Sequence, residues 1–309
     1  MNASKIRAKT KILTKISRMY YMQNMSQNDI AKELKIGRSS VGHYLSEARK
    51  LGIVKITIVD EKDNFRNSVL ENEMIQRFNL VDCFITDDKD GTISNHLVDY
   101  LDDVLPYKGI LGVGGGFTTY NLGTMLQNSF KRPNLSIIQL NGFTNDFEET
   151  SITRLYASAL DSKPLFLPSP LLVKDIKSKI ALENDPSIKT TLSALKKVDT
   201  IITGIGCNKT NDNAKYLKAY DFLDIDSLYK RTIADIGFHF FNEKGEFPIE
   251  EIEEKIIGIS MKDFLATTRR IAIVYNSKKA NVLKVALKHH IINIAITNTN
   301  TAKAILDLD

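Results

Sequence analysis

The sequence predicts an α/β protein in which a small N-terminal winged helix-turn-helix precedes a larger domain built around a parallel sheet. Residues 25–58 combine two short amphipathic helices, a tight turn and a following strand, which is the helix-turn-helix pattern with a wing. Beyond residue 67, short apolar runs alternate with helical stretches. Continuous apolar strands separated by helices indicate a parallel sheet that is covered on both faces.

The first module contains three predicted helices. The stretch from Lys5 to Met22 has apolar residues on one side and predicts a long first helix. Ser26 can cap the second helix, since serine accepts hydrogen bonds from the first amide groups of a helix. The third helix begins near Arg38 or Ser39, and residues 53–59 predict the strand of the wing.

Each helix of the helix-turn-helix would bury one apolar stripe and leave its other face free for contact. In this motif the second of the two helices lies in the DNA major groove, where side chains reach base edges or phosphates. We therefore expect the DNA-binding residues to be Gln27, Arg38, Ser39, Ser40, His43 and Tyr44.

The charge distribution also favours a DNA-binding N-terminus. Residues 1–50 contain 11 Lys and Arg against three acidic residues, a balance of +8, whereas the whole chain carries +5 and the remainder therefore sums to −3. Clustered positive charge gains affinity for phosphates by releasing counterions. Two other interpretations stay open: the charged face is only solvated, or the module binds another protein.

Length and composition predict two domains in a globular protein of 309 residues. The polar stretch DEKDNFRN breaks the apolar pattern and predicts a connection. We expect a winged helix-turn-helix over 1–59, a linker over 60–67 and a second domain over 68–309 that binds an effector and forms the oligomer.

The sequence favours a cytoplasmic protein without a resident metal or cofactor. No run approaches the roughly 18 apolar residues that a membrane span requires, and the N-terminus lacks an apolar signal segment. Cys83 and Cys207 are isolated, with no Cys/His cluster around them. A reducing compartment fits this cysteine usage, and a structural metal does not.

Five apolar runs in the second domain predict strands of the parallel sheet. They are Cys83 to Thr86, Ile110 to Val113, Ser136 to Leu140, Thr200 to Thr203, and Ile271 to Tyr275.

A glycine-rich turn follows the second of these strands and predicts an anion site. The strand ends at Val113 and a helix begins near Phe117, so that Gly114, Gly115 and Gly116 leave amide groups uncovered at the positive end of that helix. The neighbouring hydroxyls belong to Thr118 and Thr119. Ligands of open α/β sheets bind at the carboxyl ends of strands, so a phosphate or sugar phosphate fits this location. Alternatively, the glycines serve only close packing.

The order of segments resembles the SorC/DeoR-type family of bacterial sugar-responsive transcription regulators over nearly the full length. The segments that carry the resemblance are DIAKELKIGRSSVGHYLSEARKLGIVKI, ENEMIQRFNL, GVGGGFTT, IIQLNG, ITGIG, ADIGFHFFNEKG, IIGISMKDF, RRIAIVYNSKKANVLKVAL and NIAITNTNTAKAIL. Each segment is degenerate, but their order and spacing together are specific.

The resemblance implies a Rossmann-like effector domain that is similar to sugar-phosphate isomerases and deaminases. It also implies a homo-oligomer, specifically a tetramer, that binds double-stranded operator DNA. A small phosphorylated sugar in the effector domain would alter the affinity of this oligomer for the DNA. By position in the motifs, Gly114 to Thr119 would hold the phosphate. Asn141 and Gly142 would lie beside the sugar, Asp235 would meet its hydroxyls, and Lys279 would add a cation. Asn141 has no amine for a Schiff base, so the ligand would bind without a covalent bond.

Two alternatives stay open for the second domain, and two for its charged residues. Related folds isomerise or deaminate sugar phosphates, and Asp235 could act as a carboxylate base, although a partner acid is missing. The domain could also serve only for assembly. Lys279 could be a surface lysine, and Asp235 a carboxylate that holds a turn. We expect a regulator without catalytic residues.

Overall fold

The computed structural model describes residues 3–54, 65–91, 93, 95–144, 148–210 and 214–308. The chain divides into two compact units, residues 1–60 and 61–309. Of the predicted linker, residues 60–64 lie outside the described ranges. Arg66 forms a β-bridge with Thr86, and Asn67 caps the first helix of the second unit. The end of the predicted linker is therefore part of the second unit's fold.

The first unit contains the three predicted helices, α1 (Ala3–Tyr21), α2 (Gln27–Leu34) and α3 (Arg38–Lys50). Ser26 caps α2 as predicted: its Oγ accepts from the Asp29 amide at 3.2 Å and donates to Asp29 Oδ2 at 2.6 Å. Lys35 adopts a left-handed conformation at the end of α2 and turns the chain towards α3. Most of the predicted wing strand, residues 55–59, lies outside the described residues.

The three helices share a small core of their own. Its buried members include Ile16 and Met19 from α1, Ile30 from α2, and Val41 and Leu45 from α3. These positions repeat at the three- to four-residue spacing that places side chains on one face of a helix. Burial of that face leaves the remaining surface of α3 for other contacts.

Seven strands of the described second unit form one sheet in the order β1-β10-β9-β5-β2-β3-β4, with every neighbouring pair parallel. This confirms the predicted parallel sheet. The strands are β1 (Asp82–Thr86), β2 (Lys108–Val113), β3 (Asn134–Gln139), β4 (Lys163–Leu165), β5 (Thr200–Thr203), β9 (Arg269–Val274) and β10 (Ile294–Asn298).

Alternate side chains of each strand enter separate cores on the two faces of the sheet. In β9, Ile271 and Ile273 pack into the core that contains Leu122 and Tyr156, whereas Ala272 and Val274 pack into the other core. Both faces are apolar because helices cover both of them. The helices of this unit are α4 (Ser68–Phe78), α5 (His96–Val104), α6 (Phe117–Met125), α7 (Glu148–Leu160), α8 (Ile176–Glu183), α9 (Pro186–Leu195), α10 (Ala214–Leu217), α11 (Ile225–Arg231), α12 (Glu250–Glu253), α13 (Met261–Ala266), α14 (Ala280–Lys288) and α15 (Thr299–Asp307).

A second, antiparallel sheet lies in the same unit and was not predicted. It consists of β6 (Gly206–Cys207), β7 (Ala234–Ile236) and β8 (His239–Phe241), in that order. Two short 3₁₀ helices, Asn208–Thr210 and Ser277–Lys279, follow β6 and precede α14. The hairpin between β7 and β8 is important below because it forms one wall of the candidate site.

The core of the first unit gives a direct test of its packing. Leu45 is 2% exposed, and we expect Leu45→Ala to lower the free energy of unfolding of this unit by about 2–5 kcal/mol, because the substitution removes buried methyl groups and leaves a cavity. Ser46→Ala on the exposed face of the same helix is the control and should change stability by less than about 0.5 kcal/mol. Urea unfolding measures both, and equal effects would contradict this core.

Candidate functional site

A cavity of about 480 Å³ lies at the carboxyl ends of β2, β3, β5 and β9, four strands that are neighbours in the middle of the sheet. After β2 the chain adds β3 and β4 towards one edge of the sheet, and after β5 it adds β9 and β10 towards the other edge. The direction in which strands are added therefore reverses between β2 and β5, where the cavity lies. Ligands of doubly wound folds bind at such a point. We call this cavity the strand-end pocket.

The strand-end pocket brings together seven of the ten residues that were predicted to bind the effector. These are Gly115, Gly116, Phe117, Thr118, Asn141, Asp235 and Lys279. The other three, Gly114, Thr119 and Gly142, lie outside the lining.

The turn between β2 and α6 presents backbone rather than side chains to the pocket. Gly116 has a φ of 105°, which favours glycine, and it occupies the N-cap position of α6. Among the described residues no side chain caps this helix end. The amide groups of the first turn of α6 are therefore available to a ligand, and the helix dipole makes that position favourable for an anion.

Thr119 and Gly114 hold this turn in place and do not line the cavity. The buried Thr119 Oγ1 lies 2.9 Å from the Gly115 carbonyl oxygen and 2.7 Å from that of Gly116, to which it donates. At Gly114, a Cβ would approach Thr203 Oγ1 to 2.3 Å, so only glycine fits against β5. The close-packing interpretation therefore holds for Gly114, while its neighbours face the cavity.

The hairpin between β7 and β8 forms the opposite wall and is held by two predicted site residues. Asp235 is 4% exposed, and its Oδ2 accepts from the Phe238 amide at 3.0 Å. Asn141 Nδ2 donates to the Gly237 carbonyl at 2.7 Å. Gly237 and Phe238 both have positive φ angles, 57° and 63°. Backbone strain at Phe238 is consistent with a functional position, and Asp235 holds this turn as well as lining the pocket.

Gly142 lies behind the wall. Its amide donates to the Ile257 carbonyl at 2.8 Å, and a Cβ at this position would come within 2.2 Å of the Pro170 carbonyl oxygen. The residue is therefore required for close packing of the strand end. Its neighbour Asn141 keeps one side-chain atom, Oδ1, without a hydrogen-bond partner in the described part of the chain.

Lys279 connects two strand ends. It precedes α14, and its Nζ donates to the Ile205 carbonyl at 2.8 Å, in the turn after β5. Of the described lining residues, Lys279 and Asp235 bear the full charges. One ammonium group, one carboxylate and a helix N-terminus suit a ligand with a single phosphate and several hydroxyl groups.

A loop after β1 contributes Gly91 to the lining of the pocket, and Asp90 anchors this loop. Ser277 donates to Asp90 Oδ2 from its amide at 2.9 Å and from its hydroxyl at 2.5 Å, and Asn298 donates to Oδ1 at 2.9 Å. Burial by itself would raise the pKa of Asp90, but these hydrogen bonds outweigh it and lower the pKa. The carboxylate is therefore ionised near neutral pH and holds Gly91 at the pocket.

Several lining residues were missed by the sequence analysis. They are Gly91, Ile93, Val113, Asn121, Leu140, Thr203, Gly204, Ile205, Gly206, Tyr216, Gly237, Phe238, Ile273, Val274, Tyr275 and Asn276. The strand-end rule, applied to β5 and β9 as it was to β2, would have found Gly204 and Asn276. No local signal marks Gly91 or Tyr216, because the fold alone brings them here.

In the first unit, α3 presents a polar face beside its buried stripe. Arg38, Ser39 and His43 are exposed. The other three residues that were predicted to bind DNA, Gln27, Ser40 and Tyr44, are partly buried. In this unit Glu47 pairs with Lys9 at 2.5 Å and lies 4.0 Å from His43 Nε2 on the α3 face. The other cations of this helix, Arg38, Arg49 and Lys50, have no carboxylate partner among the described residues.

None of the described helices combines the length and apolar character needed to span a bilayer. Cys83 and Cys207 are both buried. The described residues contain no cluster of His, Cys, Asp and Glu that could hold a metal ion.

The chain belongs to the family described as "Putative sugar-binding domain", which matches residues 62–307. The match covers almost all of the second unit, including every described residue of the strand-end pocket.

Named relatives extend the likeness over both units and confirm the resemblance to SorC/DeoR-type regulators. The chain is 25% identical to the deoxyribonucleoside regulator of Bacillus subtilis, covering 97% of this chain and 99% of that protein. It is 26% identical to the sorbitol operon regulator of Klebsiella pneumoniae, covering 96% and 98%. The crystal structure of full-length SorC from Klebsiella pneumoniae matches with a TM-score of 0.71 at 25% identity, over 96% of this chain and 99% of that one. The protein is thus a transcriptional regulator with a sugar-binding domain.

The hydroxyl of Thr119 gives a test of how the glycine turn is held. Thr119→Val keeps the shape but leaves the carbonyls of Gly115 and Gly116 without this donor, so we expect the free energy of unfolding to fall by about 1–3 kcal/mol. Thr124→Val is the matched control on the same helix, since Thr124 is exposed and its hydroxyl donates to the Tyr120 carbonyl at 3.2 Å. Urea unfolding compares the two variants, and a Thr119 effect no larger than that of Thr124 would contradict the assignment.

Proposed function

We propose that the first unit binds double-stranded operator DNA and that the strand-end pocket binds a small phosphorylated sugar whose presence changes the affinity for that DNA. The observation that carries the proposal is the uncapped N-terminus of α6 inside a cavity at the carboxyl ends of the central strands. Family membership supports a sugar ligand, and the pocket geometry supports a phosphate on it.

The phosphate would bind at the glycine turn. Gly115, Gly116, Phe117 and Thr118 line the cavity there, and their backbone amides supply donors that no described side chain occupies as a cap. Lys279 adds a positive charge to the lining of the same cavity. Backbone amides at a helix N-terminus together with one lysine form a common phosphate-binding arrangement.

The sugar hydroxyls would face the β7–β8 hairpin. The Asp235 carboxylate uses Oδ2 to accept from the Phe238 amide, which fixes the orientation of the group. Carboxylates and side-chain amides form the strong hydrogen bonds with hydroxyls that polar ligands require. The structural role of Asp235 in the turn favours ligand binding over catalysis, because a carboxylate held by a backbone donor is positioned to accept hydrogen bonds.

DNA would bind at the exposed face of α3. Its apolar stripe is buried, and Arg38, Ser39 and His43 face outward from the start of the helix, the end that contacts base edges in helix-turn-helix proteins. The charge of +8 in residues 1–50 supplies the general attraction for phosphates.

The regulator would act in the cytoplasm as a homo-oligomer, with a tetramer as our proposal. Helix-turn-helix proteins bind two half-sites about one helical turn apart, which requires an even number of copies on a near-palindromic operator. Such an assembly would have one arrangement that binds DNA tightly and another that binds it weakly. A ligand changes the affinity for DNA only as far as its own affinities for these two arrangements differ. Tight binding alone therefore produces no response.

The reading surface is tested by replacing both Arg38 and His43 with Ala. Loss of these two contacts should weaken operator binding by at least about thirtyfold, since each base contact contributes about 1–3 kcal/mol and about 1.4 kcal/mol corresponds to a tenfold change in affinity. Both side chains are exposed, so the thermal unfolding temperature should not change. Lys189→Ala, which removes one positive charge from the exposed surface of α9, is the control. Unchanged affinity of the double variant in gel-shift titrations would remove both residues from the DNA interface.

The pocket is tested at Gly204, where a side chain can be added without backbone strain. A Cβ there has no atom within 4 Å, and φ lies outside the left-handed region. Gly204→Leu should fill the cavity and raise the Kd of the effector at least about tenfold, whereas Gly204→Ala should have a smaller effect. The effector is first identified by thermal-shift screening of phosphorylated and free sugars. A full response of the Leu variant would place the ligand elsewhere.

A further inference from the structure

A second cavity, of about 670 Å³, lies in the same unit and shares no lining residue with the strand-end pocket. Four lysines line it: Lys209, Lys230, Lys244 and Lys278. We call it the lysine pocket. The four residues come from the two 3₁₀ helices, from α11 and from the turn after β8. The fold therefore brings together charges that are far apart in the sequence.

The four ammonium groups form no ion pairs or hydrogen bonds among the residues that the structure describes. Arg231 also lines the cavity, but its guanidinium group pairs with Glu251 at 2.5 Å and donates to the Pro248 carbonyl, so its charge is already compensated. Glu243 is the carboxylate among the described lining residues. The four lysines are exposed. Like charges that line one concavity repel one another, and a bound anion relieves that repulsion.

The cavity offers more than charge. The aromatic side chain of Tyr229 and the amide of Asn281 also line it, so that a ligand would meet an apolar surface and a neutral hydrogen-bonding group between the lysines. Its volume lies within the range of about 300–1,000 Å³ that is typical of small-molecule sites. A concave shape of this size suits a compact ligand better than the continuous surface of a DNA duplex.

We propose that the lysine pocket is a second ligand site, which binds a small anion carrying at least two phosphate groups, such as a diphosphate or bisphosphate ester. Four lysines against one carboxylate leave an excess of three positive charges, more than a single phosphate group neutralises. Lysine is a common phosphate ligand that acts as a point charge.

Occupancy of this site would affect the strand-end pocket through two shared segments. Lys278 in the lysine pocket is followed by Lys279, whose Nζ holds the Ile205 carbonyl at the strand-end pocket. In β6, Cys207 lines the lysine pocket and Gly206 lines the other cavity. A ligand that fixes these segments would alter effector affinity, and the effect would be reciprocal.

The test is calorimetric titration of the full-length protein with inorganic pyrophosphate at low salt, with inorganic phosphate for comparison. We expect pyrophosphate to bind more tightly than phosphate. The double variant Lys230→Gln/Lys244→Gln should weaken pyrophosphate binding at least about tenfold. The control Lys262→Gln/Lys288→Gln removes the same charge from exposed lysines outside the cavity and should change the Kd by less than about twofold.

Three results would overturn the proposal. Equal weakening of pyrophosphate binding in the two double variants would show that the overall positive charge of the protein, and not a specific site, attracts the anion. Loss of pyrophosphate binding in Gly204→Leu would place the probe in the strand-end pocket. Weaker binding of a random-sequence DNA duplex by Lys230→Gln/Lys244→Gln, with an unchanged pyrophosphate Kd, would assign the surface to nucleic acid. Thermal unfolding checks that each variant is folded.

Discussion

The arrangement of the second unit depends on how the chain leaves β2. The strand must end against β5, where Thr203 leaves no room for a Cβ on Gly114, and the next helix must start without a capping side chain. The positive φ of Gly116 and the hydrogen bond from the Thr119 hydroxyl to the Gly116 carbonyl make that path stable. Consequently, no described side chain caps the amide groups of the first turn of α6. Uncapped amide groups that face a cavity are the chemical basis of an anion site.

The sequence predicted this turn because an apolar run followed by glycines and a helical stretch is compatible with few local structures other than a strand, a tight turn and a helix. The strand β10 was harder to predict, since it contains Thr297, which is fully buried and donates to the Val274 carbonyl at 2.6 Å. The strand β4 contains Pro164, which usually argues against a strand and is tolerated here at the edge of the sheet. In both strands the tertiary partner decides the structure.

In the candidate site, too, the contacts that depend on tertiary partners could not be predicted from the sequence. Gly115 and Asp235 were predicted from their motifs, and both line the pocket. The sequence could not show that Asp235 also holds a strained turn, because that role depends on the Phe238 amide. Nor could it show that Asn141 donates to the Gly237 carbonyl of the same turn. Residues such as Gly91 reach the pocket through contacts that span most of the chain. Asp90 is held by Ser277 and Asn298, and the Gly91 amide donates to the Tyr275 carbonyl at 2.5 Å.

We propose that the amides at the start of α6 bind the anionic part of the effector. The most direct measurement is amide hydrogen exchange of the full-length protein, with and without a sugar phosphate that changes DNA affinity. We expect slower exchange with the ligand in the peptide that covers residues 114–122 and in the β7–β8 hairpin. Unchanged exchange at residues 114–122 under saturating ligand, with protection elsewhere, would contradict it.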